Sequence, residues 1–222
     1  MTNKEYRLVV TDGNTDEVLT EATTTVVGDY EKLTGQPKNP INWKTGSSVS
    51  VGWRNEDSNG EADKSAVFFD VRMLIKYREQ NPEDLSEFLD KELVWLVEQN
   101  VERPFSNNSG GLAPQITTTV GGSRFFEFLA ANIDASTGLA RIFQNIDIII
   151  DAGGQEIFDY INIGQANTGI TSAQAIPTYT NLSTGKGVFS SRNRIVFPEY
   201  NIDGEARDSL RDGSITKDLN FQ

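Results

Sequence analysis

The sequence predicts a mainly β fold, an antiparallel β-sandwich or barrel with one prominent inserted α-helix over about residues 82–99. Three observations carry that expectation. Apolar and polar residues alternate along many short segments, clusters of Gly, Asn, Asp and Pro separate those segments, and one stretch places leucines at helical spacing behind N-cap chemistry. The clearest strand runs from Ala66 to Arg78. There Val67, Phe69, Val71, Met73, Ile75 and Tyr77 share one face, and Asp70, Arg72, Lys76 and Arg78 share the other, interrupted by Phe68 and Leu74.

Weaker strands are expected at Glu5–Thr11, Val18–Val27, Ser47–Arg54, Gln115–Val120, Arg124–Leu129, Gln144–Asp151, Glu156–Ile163 and Arg194–Phe197. Asp12-Gly13-Asn14 joins the first two as a hairpin, and Asn59-Gly60 marks another in front of the long strand. Gly153-Gly154 marks a third. As a two-residue turn it sets Ile150 against Ile157 and Ile146 against Ile161, and it leaves Asp159 among isoleucines, where a carboxylate needs a partner or the sheet's rim. For the helix, Asn81 serves as N-cap, Pro82 fits the first turn, and Glu83, Asp84 and Glu87 sit near the positive end of the dipole. Leu85, Leu89, Leu93 and Leu96 form its stripe, widened by Phe88, Val94, Trp95 and Val97. A surface wider than one stripe is buried under a loop or against another subunit, which makes Val94, Trp95 and Val97 candidate interface residues. The stretches Val101–Pro114 and Gly164–Gly187 read as loops. Residues 1–198 then form a single domain and 199–222 a polar C-terminal arm that orders only against something else; Gly204–Asp212 admits a short helix, but the arm is the preferred reading.

Composition narrows the chemistry. The 222 residues are 37% hydrophobic, enough for a core of their own. They include no cysteine and no histidine, which removes thiol nucleophiles, imidazole bases, disulfides and thiolate or imidazole metal sites. Carboxylate chemistry is what remains, no catalytic fingerprint is present, and the expectation is a protein that is not an enzyme and needs no cofactor. Acidic side chains number 32 against 20 basic, a net charge of −12 that disfavours direct contact with nucleic acid or anionic membrane faces. Such a surface suits a salty habitat and equally an ordinary acidic protein. The opening Met1–Arg7 is polar, without an apolar stretch of signal-peptide length behind it, and no segment has the length of a membrane span.

Several groups invite a site and are weak on inspection. Asp12 to Glu17 starts like a calcium loop but has Glu17 where glycine belongs and Thr23 where a bidentate glutamate belongs; weak cation binding at this and other acidic loops stays open. Asp151 and Glu156 flank the Gly153-Gly154 turn and read as exposed tip charges rather than a glycosidase pair. Ser183 to Gly187 lacks the rest of a phosphate-binding loop. Arg192 and Arg194 are candidates to pair with a neighbouring subunit's carboxylates, or equally with the chain's own.

A β-rich fold with one apolar helix, long excursions and a polar arm, and no reactive side-chain equipment, suits a building block. This strand count, the helix after the long strand, the arm and the acidity resemble viral capsid proteins of the single jelly-roll kind, such as those of icosahedral viruses of halophiles. The resemblance implies a jelly-roll barrel and an outer capsid subunit of a virion. Its partners would be copies of itself and other virion structural proteins, joined by β-barrel packing, loops and arm, away from the genome. A phage tail-tube subunit has the same properties. A sugar-binding module is the other alternative, with Trp43 or Trp53 as its platform.

Overall fold

The computed structural model describes residues 4–54, 65–106, 111–167 and 178–222. It is mainly β, with antiparallel sheets and three α-helices. A hairpin of β1 (Glu5–Thr11) and β2 (Val18–Thr25) opens the chain, closed by an Asx turn in which the Asp12 carboxylate accepts the Asn14 and Thr15 amides. The short β3 (Glu31–Lys32) and β4 (Ser48–Arg54) lead to the long β5 (Phe68–Gln80) and β6 (Phe88–Glu102). A small hairpin, β7 (Phe105–Ser106) with β8 (Gly111–Leu112), precedes β9 (Gln115–Gly121) and α1 (Gly122–Asn132). Then come β10 (Arg141–Gly153), α2 (Gln155–Asn167), β11 (Arg192–Tyr200) and α3 (Gly204–Asp212).

One sheet has the order β11-β10-β5-β6 and another the order β3-β4-β9. Their inner faces and α1 share one core, where the Trp53 ring of β4 meets Phe69 of β5 edge-on at 5.2 Å and Trp43 stacks on Phe125 of α1 at 5.1 Å. Gly122 is required where α1 meets Lys44: a Cβ there would lie 2.1 Å from the Lys44 carbonyl oxygen.

The helix expected over 82–99 is instead the strand β6, paired with β5 from Gln80–Phe88 to Phe68–Glu102. Leu93, Trp95 and Val97 turn inward, while Glu92, Val94 and Leu96 turn out. Three of the four leucines in the expected stripe, Leu85, Leu89 and Leu96, are exposed. The run Val94, Trp95, Val97, Val101 is β-branched and aromatic, and pairing with a long partner strand overrides a leucine spacing that fits a helix by coincidence. The capping residues serve a turn: Asn81 accepts the Glu83 amide, Asp84 accepts the amide and hydroxyl of Ser86, and the Asn81 amide donates to the Glu87 carbonyl.

Two expected strands are helices. Residues 124–129 lie in α1, whose Phe125, Phe126 and Leu129 bury one face. Residues 156–163 lie in α2, so the Gly153-Gly154 hairpin does not form. Both edges of β10 are already taken, by β5 and β11, which leaves a following strand no place to pair. Gly153 is instead the point of closest approach to the Phe68 ring, 2.2 Å from where its Cβ would be. The expected turn at Asn59-Gly60 lies outside the described residues.

The C-terminal residues 199–222, expected as a polar arm, fold onto the domain. Tyr200, Ile202, Ala206, Leu210, Leu219 and Phe221 are buried in the common core. The buried Arg141 guanidinium fastens this segment, donating to the Leu219 carbonyl (2.7 Å) and to Glu79 (2.7 Å). Residues 204–212 form a helix, the less favoured of the two sequence readings, capped by Asp203, which accepts the Ala206 amide at 2.9 Å.

Candidate functional site

Period two gives the β11-β10-β5-β6 sheet a second face, turned away from the core. Cross-strand register places Val196 beside Ile149, Ile149 beside Arg72, and Arg72 beside Leu96; the next row sets Asp147 beside Leu74 and Leu74 beside Val94. Val196, Ile149, Leu74, Val94 and Leu96 thus form an apolar strip that steps diagonally past Arg72 across all four strands. Val94 is 62% exposed and Leu96 and Val196 are also open to solvent, unlike Trp95, which is 5% exposed.

Ion pairs border this strip. The Asp151 carboxylate accepts from Arg194 at 2.6 Å and 3.2 Å and lies 3.5 Å from Arg72, which is in turn 3.7 Å from Asp70. Lys76 donates to Asp147 at 2.7 Å, and Asp147 also accepts the Glu199 amide. The hydrogen bond to Asp147 raises the Lys76 pKa above its ordinary value, and the bond to Asp151 does the same for Arg194. Asp70, Asp147 and Asp151 are buried beneath their partners, whereas Arg194 remains over half exposed. Cations therefore cover the carboxylates at the middle of this face, while Asp90 and Glu92 stand at the β6 side.

The candidate interface residues separate accordingly. Val94 and Arg194 lie on the outer face, and Arg192, on the same side of β11, lies at its end beside Gly153. Trp95 and Val97 do not belong to a surface: Trp95 stacks on Phe128 of α1 at 5.3 Å, and both are core. The strand period is the signal that separates them, since neighbours on a strand point to opposite sides. Sequence reading also missed Leu74, Ile149 and Val196 as companions of Val94, because only the pairing register brings them together.

Other expectations fall as follows. Trp43 and Trp53 are fully buried and form no exposed platform. Asp151 is a buried ion-pair partner rather than a tip charge, and Glu156 accepts the Thr24 and Ser190 hydroxyls at 3.0 and 2.7 Å. Asp159 sits on α2 and accepts from Gln155 at 2.7 Å. The carboxylate of Asp12 is held below its usual pKa by the Asn14 and Thr15 amides that it caps. Among the described residues no group of three or more acidic side chains is placed to hold a metal ion, and no helix is long and apolar enough to cross a membrane.

A cleft of about 620 Å³ lies between α2 and the residues leading into β11, lined by Tyr160, Tyr179, Lys186, Val188 and Arg192. Among the described residues neither Lys186 nor Arg192 makes an ion pair. Burial raises the Tyr179 pKa, helped by the nearby charges of Asp159 and Glu156.

Comparison with known proteins gives no match to a family model, a curated protein or a solved structure.

Proposed function

We propose that this chain is a structural subunit of a virus particle, working by association with copies of itself and with other virion proteins. The observation that carries the reading is the apolar strip of Val94, Leu96, Leu74, Ile149 and Val196 on the outer sheet face, bordered by ion pairs. Exposed apolar side chains set among paired charges suit a surface that another subunit covers. The lack of histidine and cysteine supports shape rather than chemistry as the basis of the work.

The first form of this reading is an outer capsid subunit. Two antiparallel sheets around one core are sandwich-like, as a shell subunit needs. A jelly roll has eight strands in two sheets, against four and three strands here, so the proposal rests on the sheet face and not on that wrap. A tail-tube subunit is the second form. The β1–β2 hairpin favours it, as an element of the kind that neighbours in a ring exchange.

Sedimentation of the purified chain over a wide concentration range, with negative-stain images of the products, tests the reading. Closed shells support the capsid form and open tubes the tail form. A species that stays monomeric at every concentration overturns both.

A further inference from the structure

The β1–β2 hairpin is unusually bare. Among the described residues it pairs with no other strand, and Tyr6, Val9, Val10, Val18 and Leu19 are exposed on it. Two-stranded hairpins are marginal in water unless something covers them. One edge, β2, is fastened along most of its length, by Thr24 to Glu156, by Asn181 to the Thr23 carbonyl and by Ser183 and Thr184 to Glu21 and Thr20, and among the described residues the turn beyond Thr20 bonds only within itself. The tip is acidic. Asp12 is committed to its own turn, but the carboxylates of Asp16 and Glu17 are exposed and make no ion pair among the described residues.

The cleft beside α2 has the complementary character. Among the described residues Lys186 and Arg192 have no ion-pair partner, in a chain whose acids outnumber its bases, and Tyr160, Tyr179, Ile157 and Val188 give the cleft an apolar wall. Glu156 and Asp159 lie near the Tyr179 side of the cleft, bonded to two hydroxyls and to Gln155, while Lys186 and Arg192 are exposed to solvent. Arg192 also stands at the end of the outer sheet face, on the same side as Arg194 and Val196.

We propose that the acidic hairpin tip of one copy docks in this cleft of the next copy, with Asp16 and Glu17 meeting Lys186 and Arg192 and with Val18 and Leu19 against the tyrosines. The inference rests on the self-association reading above and names the contact. Tip and cleft are different patches of one chain, so the contact is heterologous and propagates into a ring or an open array rather than stopping at a two-fold dimer.

The chain has no cysteine, so single cysteines report proximity without background. Glu17→Cys and Lys186→Cys proteins are prepared separately, mixed and oxidised. The expected product is a mixed disulfide dimer in excess over either self-dimer. Absence of the mixed species, while the unmodified chain still assembles, overturns the hairpin contact and leaves the self-association reading standing. A chain that never assembles overturns both. As a second arm, Glu17→Lys and Lys186→Glu each weaken assembly by about tenfold, and the doubly exchanged chain recovers it. Unchanged assembly in both single variants, or no recovery in the double, overturns the proposal. Both positions are exposed, so a thermal midpoint near that of the parent chain shows that the fold is intact.

Discussion

Along β6 the chain changes environment at every residue. Trp95 and Val97 enter a core of tryptophans, phenylalanines and isoleucines, while Val94 and Leu96, one peptide away, stand in solvent among arginines and carboxylates. The same sheet shows this contrast in β10, where Ile146, Ile148 and Ile150 are fully buried and Asp147, Ile149 and Asp151 look outward. The inner face is held by apolar area and ring packing; the outer face combines an uncovered apolar strip with carboxylates sunk beneath cations. A residue's apolar character is therefore no guide to its work in this sheet. Its parity along the strand decides whether it contributes to folding or is left over for a partner.

The largest test of that contrast is Trp95→Ala. Removing a stacked, buried indole is expected to lower unfolding free energy by about 3–5 kcal/mol, measured by denaturant titration. A loss under about 1 kcal/mol would mean that β6 does not present Trp95 to the core. On the opposite face, Asp151→Asn removes the charge that holds Arg194 and leaves Arg72 to Asp70. Because Arg194 is half in water, the expected loss is about 1–2 kcal/mol, below the cost of breaking a fully buried pair. The same measurement checks it, and a loss equal to that of Trp95→Ala would erase the distinction between the faces.

Tyr30 links the two outermost strands on the β11 side, its hydroxyl donating toward the Ile150 carbonyl with the Asn193 carbonyl at 3.0 Å. Burial raises its pKa well above the ordinary tyrosine value. With the folded pKa raised, its contribution is complete below the unfolded value of about 10 and is lost as pH rises above that toward the folded pKa. Tyr30→Phe is expected to cost about 1 kcal/mol at neutral pH and to flatten the fall of the melting midpoint above pH ~10. An unchanged alkaline limb would assign that fall to other tyrosines.

How much of this was legible depends on which physics governs each element. β5 shows itself because its inner face is consistently apolar, whereas α3 is legible only as an alternative to an arm, since its burial through Ala206 and Leu210 depends on the domain it packs against. β6 hides because Asn81, Asp84 and the leucines satisfy a helix template as well as a turn and strand, and the choice is made by β5, a partner that no local window contains. α2 hides for a similar reason: Ile157 and Ile161 fit both periods, and the decision comes from β11 occupying the edge of β10. For the candidate site, Val94 and Arg194 can be named from sequence. Their companions Ile149, Leu74 and Val196 cannot, since they meet through pairings as distant in sequence as that of Arg72 with Ile149. The cleft has the same origin, with Tyr160 from α2 and Lys186 and Arg192 from the chain beyond it.

The smallest effect on the fold, and the sharpest on assembly, is expected from Val94→Asp. Its side chain is already in water, so the charge meets no desolvation penalty, and unfolding free energy should stay within about 0.5 kcal/mol of the parent. Glu92 is two residues along on the same face, which places a like charge nearby and makes a slight loss more reasonable than a gain. In an assembled state the same aspartate would be buried in the strip opposite Leu74, with the diagonal cations Arg72 and Lys76 already engaged by Asp70, Asp151 and Asp147, a position where a further carboxylate is disfavoured. Equilibrium sedimentation alongside denaturant titration separates the two quantities. A folded variant that has lost association assigns the strip to an interface, and a variant that assembles as before shows that the contact between copies lies elsewhere, with Val94 simply exposed.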